Sequence, residues 1–235
     1  MLVVDGPVSD DINNIINKYK EETGIFNVIY LEKNTGHGNA RSISLNNCKY
    51  DLVAIMDSDD ISIPTRFEQQ IKAFENNNYD VVGGDISEFI DDEVNIISKR
   101  CVPKTDKEIK KFLKVRCPLN NVTVMFKKDS VQKVGGYLDW YCNEDYYLWI
   151  RMYLANAIMA NTGTILVNVR IGKDMYKRRG GDEYYQSEIG IQKLMLEKSI
   201  IDKKTYTLNC IKRWIVEKAL PSNLRGLVYK FFARN

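Results

Sequence analysis

Four apolar runs in the first 84 residues, "LVVD" (2–5), "FNVIYLE" (26–32), "LVAIM" (52–56) and "YDVVGG" (79–84), alternate with three segments of helical periodicity. The segments are "SDDINNIINKYKEE", "GNARSISLNN" and "PTRFEQQIKAFENN". The first is expected to be capped by Ser9 or Asp10 and to set Ile12, Ile15, Ile16 and Tyr19 on one face; the third carries Pro64 in its opening turn. A β-α-β-α-β-α-β order leaves few architectures open. Parallel neighbours cannot be joined by a tight turn, so each connection crosses over as a helix that covers a face of the sheet. The expectation is an α/β fold that binds its ligand outside the carboxyl ends of the strands.

The third run leads straight into "DSDD", placing Asp57, Asp59 and Asp60 within four positions at such an end. Carboxylates clustered there repel one another unless a cation or hydrogen bonds offset them. In an extended segment Asp57 and Asp59 would point to the same side, which suits joint attention to one charged ligand. Asp60 and Ser62 could instead cap the helix that starts near Pro64, but one cap does not need three carboxylates.

The second half is less regular. "DISEFIDDEVNIISKR" reads as a hairpin, "TDKEIKKFLKVR" as a polar helix and "NVTVMF" as a strand. "DSVQKVGGY" reads as a short helix stopped by Gly135 and Gly136, and "NEDYYLWIRMYLANA" as a longer one. "TILVNVRI" is a further strand, "YKRRGG" a loop, and the remainder helical. With 235 residues, 44% of them apolar, the chain can bury a sizeable core. Its five cysteines lack CxxC spacing and their odd number fits a reduced, cytoplasmic protein better than a disulfide scaffold. No apolar run approaches the roughly 20 residues of a membrane span.

The run "NTGHGNARSISLNNCKYDLVAIMDSDDISIPTRFEQQIKAF" resembles the nucleotide-sugar half of family 2 glycosyltransferases, and "VGGYLDWYCNEDYYLWIRM" resembles their acceptor-side motif. The resemblance implies the GT-A fold, a Rossmann-like mixed sheet flanked by helices, as a catalytic domain over residues 1–200. A basic helical tail over 201–235 would follow.

The implied reaction is inverting transfer of a sugar from a nucleotide-diphosphate donor, UDP-linked, to a saccharide or polyprenyl-diphosphate-linked saccharide in surface polysaccharide synthesis. Leaving pyrophosphate needs its charge neutralised, a task for Mn²⁺ or Mg²⁺ on one or two carboxylates. By resemblance Asp57 contacts the ribose or metal and Asp59 is the principal metal ligand. Asp145 stands where the family carries its base, with Glu144 orienting the acceptor or Asp145; both also suit the first turn of a helix on electrostatic grounds. Arg41 would pair with a phosphate or with the acidic cluster, Asp5 would contact the base or ribose, and Arg178 and Arg179 would lie on a basic loop near the diphosphate. His37 reads as a solvated loop residue.

One departure stands out. Family members begin with a strand and helix before the equivalent of "LVVD", and that strand lies between the equivalents of "LVVD" and "LVAIM". Its absence predicts weak donor affinity, unless another segment, a partner or a second copy completes the sheet. An accessory or non-catalytic remnant is the alternative reading. The tail adds a second cue to location. From Lys203 onward the formal charge is +7, against −4 for the preceding residues. Its basic residues interleave with Ile211, Trp214, Ile215, Leu224, Leu227, Val228, Phe231 and Phe232. Such a pattern suits peripheral contact with an anionic membrane on its inner face, or plain packing against the body. No nucleic-acid reader motif accompanies it.

Overall fold

The computed structural model describes residues 1–172 and 181–219. The first half runs β1 (Leu2–Asp5), α1 (Asp10–Thr23), β2 (Val28–Leu31), α2 (His37–Asn47), β3 (Leu52–Ala54), β4 (Ile61–Ser62), α3 (Arg66–Asn76) and β5 (Val81–Phe89). The second runs β6 (Ile96–Arg100), α4 (Asp106–Leu113), a 3-10 turn (Asn121–Thr123), β7 (Met125–Lys127), α5 (Lys128–Lys133), α6 (Glu144–Leu154) and β8 (Met159–Arg170). The C-terminal helices are α7 (Asp182–Glu197), α8 (Lys203–Arg213) and a π-helical turn (Trp214–Ala219).

The strands form two sheets. β1 and β2 pair in parallel, with Leu2 opposite Val28. The larger sheet has the order β3-β7-β5-β8-β4, and β6 pairs with β5. β7 is antiparallel to both β3 and β5, whereas β5 and β8 run parallel. The sheet is therefore mixed. The four early strands do not form one continuous parallel set, because β7, which enters from the 3-10 turn in the reverse direction, separates β3 from β5. Among the described strands, β1 has only β2 as a ladder partner and β3 only β7.

The expected apolar face of α1 is not a buried face. Ile16 is buried, but Ile12, Ile15 and Tyr19 are each about half exposed, at 47%, 56% and 54%. A two-stranded sheet offers one helix little surface to cover, so the amphipathic pattern outruns the packing available among the described elements. Ser9 does occupy the N-cap, although its side chain makes no cap hydrogen bond.

The main core is built around α6. Leu148, Trp149, Ile150 and Met152 of α6 are fully buried against Val81, Phe126 and Met159 of the sheet, Ile109 and Leu113 of α4, and Ile191 and Met195 of α7. Helix α6 is thus enclosed between sheet and C-terminal helices, which fixes its first turn. The C-terminal helices are tied down by polar contacts as well: Asn209 of α8 donates to the Lys114 carbonyl at 2.9 Å and to Gln192 of α7 at 2.8 Å, and Arg213 pairs with Glu188 at 2.5 Å.

Where β3 ends the chain leaves the ladder, and two buried polar side chains of α3 bond carbonyls there and on the neighbouring segments. Arg66, 1% exposed, donates to the Ile55 carbonyl at 2.8 Å and the Val124 carbonyl at 3.4 Å; Gln70 donates to Val82 and Thr123 at 2.7 and 2.8 Å. Burial lowers the Arg66 pKa to about 10, still well above neutrality, so the guanidinium stays charged. Replacing Arg66 by Met keeps the volume but strands buried carbonyls, a loss of roughly 2–3 kcal/mol that the midpoint of urea unfolding will register.

Candidate active site

Three elements deliver the charged residues of the centre. The chain turns immediately after Asp57, with the Asp60 amide donating to the Asp57 carbonyl at 3.4 Å. This corrects the extended geometry expected for "DSDD": Asp57 and Asp59 do not share a side through strand alternation, but stand on either limb of a turn. Asp59 is exposed and Asp57 about one-third exposed. Asp60 accepts from the Arg170 amide at 2.9 Å, which ties the turn to the end of β8. Burial, reinforced by Asp59 and Asp57, pushes the Asp60 carboxyl up to about 6.

The second element is α2, which carries Arg41. Its guanidinium donates to Glu144 at 2.5 Å through Nη1 and to Asp57 at 3.3 Å through Nη2. It lies 5.9 Å from the centre of the buried Tyr137 ring. With its amide oxygen turned toward Arg41, Asn121 accepts from both nitrogens at 3.2 and 3.3 Å and gives its NH₂ to the Tyr137 hydroxyl at 3.2 Å. Burial works against this charge, but Asp57, Tyr137, Glu144 and Asp145 outweigh it and raise the Arg41 pKa. Of the two pairings expected for Arg41, the structure shows the acidic cluster. His37, on the same helix, is largely exposed, with Nδ1 3.9 Å from Glu144.

The third element is the start of α6. Asp145 accepts from the Tyr146 amide at 2.6 Å, and the Cys117 sulfur lies 4.0 Å from its other oxygen. Burial, followed by repulsion from Glu144, raises the Asp145 carboxyl to about 6; Arg41, the Tyr146 amide and Arg100 oppose the rise without cancelling it. The Gly-Gly-aromatic turn ahead of it is shaped by two left-handed residues, Gly135 (φ 90°) and Gly136 (φ 67°). Arg151, from α6 itself, donates to the carbonyls on either side of that turn, Val134 and Gly136, at 2.5 and 2.7 Å.

The structure therefore brings Arg41, Asp57, Glu144 and Asp145 together. Asp5 is engaged differently. Its carboxylate accepts from the Thr35 amide and hydroxyl at 2.7 and 2.8 Å and from the Gly36 amide at 3.1 Å, holding the loop that launches α2. Arg178 and Arg179 lie outside the described residues, as do Leu224, Leu227, Val228, Phe231 and Phe232 of the tail. Tyr137, Asn121 and Cys117 also line this centre, and none was singled out from sequence. Only Tyr137 carried a signal, as the aromatic of "GGY". No group of three or more His, Cys, Asp or Glu side chains among the described residues is arranged to hold a metal.

The glycosyl transferase family 2 model matches residues 1–135. The chain belongs to that family. It is 35% identical over its whole length to an uncharacterized glycosyltransferase of Haemophilus influenzae, covering 86% of that protein. It is 34% identical, over 98% of its length and 83% of the relative's, to an Escherichia coli UDP-Gal:alpha-D-GlcNAc-diphosphoundecaprenol beta-1,3-galactosyltransferase. Against the amylovoran biosynthesis glycosyltransferase AmsE of Erwinia amylovora the identity is 35%, over 83% of this chain and 73% of that one. The crystal structure of Staphylococcus aureus TarS 1–349 superposes with a TM-score of 0.64 at 15% identity, covering 98% of this chain and 65% of that one. The mannosyltransferase PcManGT of Pyrobaculum calidifontis, in complex with GDP-Man and Mn²⁺, gives 0.62 at 13%, covering 97% and 64%. The fold of this family 2 glycosyltransferase is GT-A.

The raised Asp145 carboxyl has a consequence for stability. An unfolded aspartate loses its proton near pH 4, whereas the folded one holds it until about 6. Over that interval the native state binds more protons, so stability falls as pH rises. Asp145→Asn removes this penalty: melting curves should show a gain of roughly 5–10 °C above pH 6 and little or none below pH 4.

Proposed function

We propose that the chain transfers one sugar from a UDP-linked donor to a hydroxyl of a lipid-linked saccharide, with inversion at the anomeric carbon. The observation that carries this reading is the convergence on Arg41 of carboxylates from the turn after β3 and from the start of α6. In this reading the guanidinium stands between a donor-side and an acceptor-side carboxylate. The E. coli relative's name, with its UDP-galactose donor and diphosphoundecaprenol acceptor, supports the substrate class.

In this reading Asp145 takes the proton of the acceptor hydroxyl as its oxygen attacks. The new C–O bond forms while the bond to phosphate breaks, and that electron pair leaves with the nucleoside diphosphate. A base poised near 6 is ionised at neutral pH yet basic enough to accept the proton. Arg41 engages the Glu144 carboxylate beside it, which leaves Asp145 as the carboxylate free of a side-chain cation for proton transfer. Asp57 and Asp59 would hold Mn²⁺ or Mg²⁺. Both are hard oxygen donors at the surface, and Asp57 has one oxygen paired with Arg41. Two carboxylates plus substrate phosphates form a normal set for these ions, which when bound neutralise the departing pyrophosphate.

Titration calorimetry with UDP tests the assignment. Binding that requires Mn²⁺ and disappears in Asp59→Ala is the expected result, together with an Asp145→Asn variant that binds UDP normally but transfers no sugar. Absence of nucleotide binding by folded protein would favour the accessory, non-catalytic reading.

The position at a membrane is part of the same proposal. Leu208, Ile211, Trp214 and Ile215 are 45–52% exposed on α8 and the π-turn, beside Lys204 and Lys212. No described helix is long and apolar enough to cross a bilayer, so contact would be peripheral, on the inner face where a polyprenyl-linked acceptor is presented. Sedimentation with phosphatidylglycerol vesicles should capture the protein, and a Trp214→Ala, Ile211→Ala double variant should reduce capture severalfold; equal capture would exclude this face.

A further inference from the structure

The loop that delivers the acid pair, residues 138–143, breaks two local rules. Cys142 adopts a left-handed conformation (φ 54°) without being glycine. Asn143 occupies the N-cap of α6, a position where its side chain would ordinarily bond the helix's own free amides, yet it makes no such bond. Its NH₂ is directed instead to the Ser187 hydroxyl on α7 at 3.0 Å. That hydroxyl donates in turn to the Tyr141 carbonyl, and the Ser187 carbonyl accepts from the Trp140 indole at 3.2 Å.

One serine thus holds three loop residues. One turn further along α7, Gly190 leaves the space that Trp140 fills: a Cβ there would lie 2.9 Å from the indole ring. The ring's other neighbour is Tyr147 on α6, 4.6 Å between centroids. The far end of the loop is seated by a second glycine, since a Cβ on Gly38 of α2 would meet the Leu138 carbonyl oxygen at 2.9 Å. The loop therefore spans from α2 to α7 and is fastened at each end.

We propose that Ser187 is a positioning residue, fastening the 138–143 loop to α7 so that the first turn of α6 presents Asp145 in a fixed, water-poor setting. This rests on Asp145 being the base. Strain at Cys142 and a diverted N-cap are disfavoured locally, and they persist because the contacts from α7 over-determine them. Ser187 touches no reacting atom and acts only through the Trp140 indole, the Tyr141 carbonyl and Asn143.

Its removal should be read at Asp145. The charged and titratable groups acting on that carboxylate are Glu144 on its own helix, Arg41 from α2, Arg100 from β6, Cys117 beyond α4 and the Tyr137 hydroxyl. Ser187 is neutral. A shift on its removal therefore reports altered position or water access, not a lost charge.

The experiment follows the ¹³Cγ resonance of Asp145, assigned by its loss in Asp145→Asn, through a pH titration. In Ser187→Ala the midpoint should fall by about half a unit or more toward the ordinary aspartate value. Ser187→Thr, which keeps the hydroxyl, should restore it. Trp140→Phe removes the indole donor together with the ring atoms that fill the space at Gly190; it should shift the midpoint in the same direction and serves if Ser187→Ala does not fold. Turnover is the second readout: kcat roughly tenfold lower with the donor KM unchanged. Unchanged titration in both variants overturns the clamp, even in an enzyme that transfers sugar. Shifted titration in a chain that transfers no sugar upholds the clamp and counts against the proposed reaction.

Discussion

The single guanidinium of Arg41 makes the assembly of this centre tolerable. Asp57 comes from the turn after β3, Glu144 and Asp145 from α6, and all three act on the same cation. Two like charges about 4 Å apart repel by roughly 4 kcal/mol at the effective dielectric of a partly buried site. A positive group among them reverses that sign. Arg41 can serve only if α2 sits closely against the loop before α6, and the absence of a side chain at Gly38 permits that approach. The two sheets, which share no ladder among the described strands, are thereby brought into register at the site itself.

Compensation is unequal on the two sides of that cation. Glu144 is 8% exposed in its side chain and has its counter-charge built in at 2.5 Å. Asp57 is 37% exposed, with a longer contact of 3.3 Å, and Asp59 is exposed. The α6 side is closed and internally balanced, so its burial is available to shift the Asp145 carboxyl upward. The β3 side is open, and its excess negative charge is left for a ligand to offset. In the proposed reaction this division suits the two substrates: a cation arrives with the donor phosphates, while the base must be poised before the acceptor enters.

Legibility in the sequence followed the range of the interactions. Strand and helix order through residue 84, apart from the two-residue β4, was readable because periodicity is a local property, and motif resemblance drew attention to Asp57, Asp59, Glu144 and Asp145, three of which the fold gathers around Arg41. Extended alternation at "DSDD" failed for a local reason: β3 stops at Ala54, with Ile55 bonding to Val124 and Arg66, and the chain then turns. The face of α1 failed for a global one, since Ile12, Ile15 and Tyr19 have the spacing of a buried stripe but no described element covers them. The choice between partners for Arg41 could not be made from sequence, because Glu144 lies 103 residues away. Cys117 and Ser187 are unremarkable where they stand and gain meaning only from how α4, α6 and α7 pack.

The buried polar side chains show where the fold accepts cost for placement. Arg66 and Gln70 are sunk in the core, Arg66 donating to the Ile55 carbonyl just where the β3 ladder is given up and Gln70 to the Val82 and Thr123 carbonyls. Asn143 forgoes its cap, and Asp145 keeps a carboxyl whose ionisation the surroundings oppose. Each of these departs from what local propensity would choose, and the last two flank Glu144 at the start of α6. A chain selected only for stability would have no reason to cluster such departures there. In the proposed reaction that position has a use: it holds Asp145 buried and oriented next to the Arg41–Glu144 pair before the acceptor enters.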